Sequence, residues 1–210
     1  HQVKLSSSLW NTRSRKARSP LPTGGDIHQA DGTSWMAMYS LNLLRIALEL
    51  ARHDEVYQDI ATKFFEHFLS IAEAMTAMGT SNTGLWDEQD QFYYDVLHLP
   101  DGHELPLRVR SMVGLIPLFA VEIIEPEMLE RLPNFKLRPE WFMKNRPELA
   151  ALVSHWTEPG RGTRRLLSLL PPHLIRRLLQ RMLDANALLS DYGLRSLSLA
   201  HLAQPHTFTA

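Results

Sequence analysis

Cysteine is absent from the 210 residues of this chain. That absence excludes disulfides, thiolate metal sites and cysteine nucleophiles, and it fits a reducing compartment. Long apolar runs are missing as well. The most apolar stretch, Met112 to Ile124, is shorter than the roughly 18–20 residues of a membrane helix and is interrupted by Pro117. Positions 1–20 hold no apolar block of the kind a secretory signal requires, so the expectation is a cytoplasmic protein with no membrane partner. Charge of one sign is not in excess: 22 Lys and Arg stand against 23 Asp and Glu, leaving no general field toward nucleic acid. The ten histidines include no His-x-x-x-His pair or zincin pattern, so neither a metal nor another cofactor is expected. A Gly-x-Ser-x-Gly elbow is lacking too, and Gly160-Arg-Gly162 has no strand context that would make it a phosphate loop.

What the chain does contain is the balance of a globular protein. Hydrophobic residues make up 44% and charged residues 21%, enough for one domain with a real core. The first nineteen residues stand apart, with Lys4, Arg13, Arg15, Lys16 and Arg18 and no acid before Asp26. They read as a disordered basic tail, with a transit peptide or a nucleic-acid arm as alternatives. Pro20 to Gly25 is a turn-rich entry. Asp31 or Thr33 then offers a cap to a helix over Trp35–Arg52, whose apolar face runs Met36, Tyr39, Leu43, Ile46, Leu50, widened by Leu44, Ala47 and Leu48. Asp54 offers the cap of a second helix reaching about Met78, and the two read as an antiparallel hairpin.

Further along, Gln91–Leu97 and Leu105–Val109 flank the turn signal Pro100-Asp-Gly-His103, which predicts a β-hairpin near 91–109. Met112 to Ile124 reads as a buried helix, followed by short helices at Pro126–Leu132 and at Arg138–Arg146, the latter with Trp141 and Phe142 inward. Arg161–Arg165 reads as a loop, and a last long helix starts at Pro171 or Pro172 and ends near Leu183. Ser190-Asp-Tyr-Gly193 is a turn. The fold expected from these elements is mainly α. Arg164, Arg165, Arg176, Arg177 and Arg181 form a basic patch that reads as a solvated helix face and not as a nucleic-acid site.

Two segments could carry chemistry. In Gly84 to Val96, Asp87 and Glu88 stand beside Trp86, while Asp90 and Asp95 flank the aromatics. Sugar sites need this mixture, because a flat apolar ring face stacks on an aromatic and carboxylates bind hydroxyls; the competing reading is a solvated acidic turn over core aromatics. In His28 to Trp35, Gln29, Asp31 and Trp35 cluster where a loop enters a helix, a usual place for a binding rim. The competing reading there is a capping Asp and a core Trp.

The order of several segments resembles glycoside hydrolase family 63. They are Pro20-Leu-Pro-Thr-Gly-Gly, Gln29-Ala-Asp-Gly-Thr-Ser-Trp-Met36, Ala61-Thr-Lys-Phe-Phe-Glu-His-Phe68, Leu85-Trp-Asp-Glu88, Phe92-Tyr-Tyr-Asp-Val96, Arg110-Ser-Met-Val-Gly-Leu115 and Ser190-Asp-Tyr-Gly-Leu-Arg-Ser-Leu-Ser198. The resemblance implies a partial (α/α)6-barrel domain over 20–205, with a frayed tail at 206–210, in an α-glucosidase-like inverting enzyme. In such enzymes one carboxylic acid protonates the leaving oxygen and a carboxylate activates water on the opposite face. At the place where the family carries its acid, Ser6 to Arg13 contains no carboxylate, and the family's base falls beyond the last residue of this chain. The resemblance therefore implies a fragment with no catalytic residue, a carbohydrate or glycoside as partner, and Gln29, Asp31, Trp35, Trp86 and Asp87 on the substrate side. An incomplete ring would also expose apolar edges and favour self-association. Two readings compete: an active hydrolase pairing Asp31 with Asp87 or Glu88, and a non-catalytic α-helical interaction module.

Overall fold

The longest elements follow from local pattern. The computed structural model describes residues 17–22, 24–75, 84–147 and 164–205. Helix α1 (Ala30–Leu50) and helix α2 (Val56–Met75) pack as an antiparallel pair, joined by a short turn. Asp54 accepts a hydrogen bond from the Val56 amide at 3.0 Å and so caps the start of α2. The seam is apolar: Ala37, Leu41, Leu44 and Leu48 of α1, and Phe65, Phe68, Leu69 and Ala72 of α2, are all buried.

Around this pair the chain is far richer in strand than the sequence pattern suggested. β1 (Ala17–Pro20), β2 (Asp26–Gln29), β5 (Asp95–His98) and β6 (Glu104–Leu107) make a four-stranded antiparallel sheet in the order β1-β2-β5-β6. Three two-stranded ribbons accompany it: β3 (Trp86–Asp87) with β4 (Phe92–Tyr93), β7 (Val121–Ile124) with β8 (Arg165–Ser168), and β9 (Leu189–Ser190) with β10 (Gly193–Leu194). Helices α3 (Pro126–Arg131), α4 (Pro133–Asn145), α5 (Pro172–Met182) and α6 (Ala200–Ala203) are all short, and Met112–Phe119 is a 3-10 helix. Of the described residues 51% are helical and 21% lie in the antiparallel sheets.

The expectation of a mainly α, partial (α/α)6 barrel is therefore wrong, and the chain has a mixed α/β fold. A ring of that kind needs repeated long helix pairs, and among the described residues only α1 and α2 make one. Strands claim the remaining segments for local reasons. β1 and β2 form a hairpin, and Gly24 at φ +88° and Gly25 at φ +80° lead into β2 at angles that other residues avoid. At Gly25 a methyl would also overlap the His98 carbonyl, which lets β2 lie against β5. Pro117 keeps the apolar run after Ser111 from forming an α-helix, so it makes eight residues of 3-10 helix and then strand β7. Gly114 is required in that turn, because a side chain there would meet the Phe92 ring and the Tyr93 carbonyl.

α4 closes the other side of α2. Phe135 and Phe142 meet Phe65 edge-on at 6.2 and 5.9 Å between ring centres, and the Phe135 amide donates to the buried Gln58 Oε1 at 3.1 Å. Trp141, expected inward with Phe142, is 43% exposed. The residues 1–16 of the expected tail, 161–163 of the expected loop and the end of the second helix near Met78 lie outside the described residues. Among the described residues no helix is long and apolar enough to cross a membrane.

Candidate functional site

The start of α1 is built by residues distant in sequence. Gln29 occupies the cap position without a capping bond from its side chain; its Nε2 donates instead to Ser19 Oγ at 2.9 Å across the β1–β2 pair. The Ala30 amide donates to Asp95 Oδ1 at 2.7 Å, so a carboxylate from β5 does the work of a cap. Thr33 Oγ1 donates to the Gln29 carbonyl at 2.5 Å and accepts the Ala17 amide at 3.0 Å. Asp31, expected as a cap, lies inside the first turn, where its Oδ1 accepts the Gly32 amide at 2.6 Å. Two carboxylates thus converge on one helix start. Burial, and then the charge of Asp31, raise the pKa of Asp95 above 3.8 against the opposing bond from Ala30.

One turn along α1 from Asp31 stands Trp35. Its ring stacks on Phe119 with centroids 6.2 Å apart and planes 5° from parallel, and Tyr39 adds a third ring at 6.5 Å. This shelf remains open, with Trp35 36%, Phe119 55% and Tyr39 58% exposed.

Trp86 and Asp87 belong to a second cluster. Trp86 is half-buried against Tyr93 at 5.0 Å, and its Nε1 is buried without a hydrogen-bond partner. Asp87 is held by Arg108 at 2.9 Å and accepts the Asp90 amide at 2.8 Å. Asp90 in turn accepts from the Tyr94 hydroxyl at 2.8 Å and pairs with Arg110 at 3.0 Å. Burial alone would raise the pKa of Asp90, but the Tyr94 bond and the charges of Arg110 and Arg108 outweigh it and hold it below 3.8. Burial pushes the Tyr94 phenol up to about 12, so it stays protonated and donates. Asp90, Tyr94, Arg108 and Arg110, with His201, line a cleft of about 360 Å³.

The structure therefore brings Gln29, Asp31 and Trp35 together but sets Trp86 and Asp87 in a different constellation, linked to the first through the adjacent residues Tyr94 and Asp95. Asp87 is committed to Arg108, which leaves it unsuited to act as the partner of Asp31 in hydrolysis. The sequence pattern does not single out Arg108 or His201, and it gives Arg110 and Asp95 no role beyond their places in family-like segments and beside the aromatics. The spacing Arg108-x-Arg110, opposite the acid pair Asp87 and Asp90, was the available signal.

The class of protein defined so far is a mixed α/β domain with an open aromatic shelf beside buried and half-buried acids. No protein-family model matches the chain. The chain is 46% identical over 198 residues to an uncharacterized protein of Saccharomyces cerevisiae, YMR196W, with 89% of the chain covered. It spans 18% of that protein's length.

Proposed function

We propose that this chain supplies a carbohydrate-facing wall of a glycoside hydrolase resembling family 63, α-glucosidase-like and inverting, and that it binds sugar without hydrolysing it. The observation that carries the reading is the open shelf of Trp35, Phe119 and Tyr39, one helical turn from Asp31. A pyranose presents an apolar ring face and equatorial hydroxyls, and such a shelf with Asp31 and Gln29 at its end complements both. Hydrolysis needs two carboxyls free to exchange protons across the glycosidic bond. Here Asp95 accepts the Ala30 amide, Asp87 is tied to Arg108, and Asp90 to Arg110 and Tyr94. Each of these acids is held by a neighbour.

The test joins binding with turnover. Titration with glucose oligosaccharides and glucosylglycerate, followed by tryptophan side-chain NMR, should shift the Trp35 indole signal. Trp35→Ala should weaken binding about tenfold, the value of one stacked ring. Release from aryl glucosides should stay at the uncatalysed rate. Binding unaffected by Trp35→Ala, or turnover lost in Asp31→Asn, would sink the reading.

The second reading, a non-catalytic helical interaction module, is favoured by one observation. α1 also exposes Met36, Leu43, Ile46 and Leu50, each more than 40% accessible, beside Val121 and Ile123 of β7. A helix that is apolar on both faces usually has two partners.

A further inference from the structure

We propose that Asp26, His28, His98 and Glu104 form a binding site for one divalent transition-metal ion of the zinc class. The expectation of no metal rested on the absence of helical His-x-x-x-His spacing. A sheet gathers ligands differently: alternate residues share a face, and cross-strand neighbours stand side by side. In the register of the four-stranded sheet Asp26 pairs with His98, and His98 with Glu104, so three donors form one row across β2, β5 and β6. His28, two residues beyond Asp26 on β2, falls on the same face of the sheet.

The distances among Asp26, His28 and His98 fit a small coordination sphere, which Glu104 adjoins at His98. Donor atoms of Asp26, His28 and His98 all lie within 4.8 Å of one another. His28 Nε2 is 3.5 Å from Asp26 Oδ1, and His98 Nε2 is 3.1 Å from Glu104 Oε1. Ligands 2.0–2.1 Å from a tetrahedral zinc stand about 3.3 Å apart, so two edges already have that length. The two imidazole rings lie with centroids 3.7 Å apart, and on binding they would splay toward the separation of about 5 Å that two imidazole ligands of one tetrahedral ion require. His98 Nε2 is buried and, despite its nearness to Glu104, makes no aligned hydrogen bond. A buried ring nitrogen in that state points to something it would bind.

The donor set chooses the ion. Two imidazoles and two carboxylates suit zinc and its neighbours, whereas calcium and magnesium prefer oxygen throughout. Two carboxylates also balance a divalent charge. Arg18 Nη1 lies 3.5 Å from Asp26 Oδ2, the oxygen turned from His28, and can hold that carboxylate from outside. This site is separate from the aromatic shelf and stands whether or not the chain binds sugar.

Chelator-treated chain should be titrated with zinc against a chromophoric competitor, and with cobalt, whose visible bands report tetrahedral coordination. One equivalent should bind, with tetrahedral cobalt bands, and should raise the melting temperature. His98→Ala and Glu104→Gln, both at half-buried positions, should each lower affinity at least about tenfold with an unchanged far-UV circular dichroism spectrum. His28 is buried, so its replacement would test folding as much as binding; histidine side-chain NMR of the unaltered chain provides the second measurement, with two Nε2 signals moving on zinc addition. Failure to bind either ion at tenfold excess overturns the proposal. So does binding that His98→Ala and Glu104→Gln leave intact, or zinc shifts confined to other histidines.

Discussion

At the scale of single residues, two half-buried carboxylates in one short segment are tuned in opposite directions. Asp95 has its pKa raised, chiefly by burial, and Asp90 has its pKa lowered because Tyr94, Arg110 and Arg108 outweigh burial. Folded Asp95 holds its proton more readily than in the unfolded chain. Its contribution to stability is thus full below 3.8 and is lost as pH rises through its folded pKa. Asp90 behaves inversely: its contribution is full above 3.8 and is lost as pH falls through its folded pKa. Asp90→Asn should therefore cost about 1.5–3 kcal/mol near neutral pH, the range for hydrogen bonds to a charged group, and the deficit should shrink in acid. Asp95→Asn, which keeps a capping oxygen, should show the reverse trend, with the original chain gaining on the variant as pH falls. Urea denaturation of the three proteins at several pH values measures both slopes. Parallel pH curves for either variant and the original chain would contradict the assignment. The types of these residues were visible in the sequence. Their tuning was not, because Asp95 meets Ala30 across 65 positions and Arg110 meets Asp90 across a turn.

At the scale of elements, the helix pair was legible because its periodicity is strong and local. The face that α1 buries was not. The sequence pattern pointed to Met36, Tyr39, Leu43, Ile46 and Leu50 as the core stripe, widened by Leu44, Ala47 and Leu48; the first five are left exposed, while the widening three are buried together with Ala37 and Leu41. A helix apolar all round carries no local sign of which stripe its neighbour takes, and α2 decides it. The hairpin turn at Pro100–His103 was legible, since the Leu99 amide donates to the His103 carbonyl at 2.8 Å around a Gly at positive φ. Strands β1, β7 and β8 were not: each is four residues long and pairs with a segment whose position only the fold supplies. The same limit hid the metal cluster, whose ligands come from three strands. A paired substitution tests the face of α1. Leu44→Ala should cost about 2–5 kcal/mol by leaving a cavity, while Ile46→Ala, at 55% exposure, should change stability by less than about 0.5 kcal/mol. Thermal or chemical unfolding of both gives the comparison, and equal losses would mean that both faces are covered.

At the scale of the whole molecule, the exposed side of α1 joins Phe119, Val121 and Ile123 into one apolar surface among the described residues. We expect a second copy of the chain to cover it when the chain is isolated. The net charge is only −1, so two copies meet without electrostatic penalty, and a helix stripe can lie antiparallel against its own image. Sugar binding on the Trp35 shelf and association through Leu43 and Ile46 use neighbouring parts of this surface, which makes them separable by substitution. Sedimentation velocity over about 1–100 μM should show the average mass rising with concentration, and raised salt should not weaken the association, because the contact is apolar. Leu43→Glu with Ile46→Glu places like charges on the stripe of each copy. It should give a monomer at all these concentrations, with the melting temperature that the original chain shows at the lowest of them, since both residues stand outside the core. A chain that is already monomeric at the highest concentration would contradict this use of the surface. Association that survives the double substitution would place the contact elsewhere.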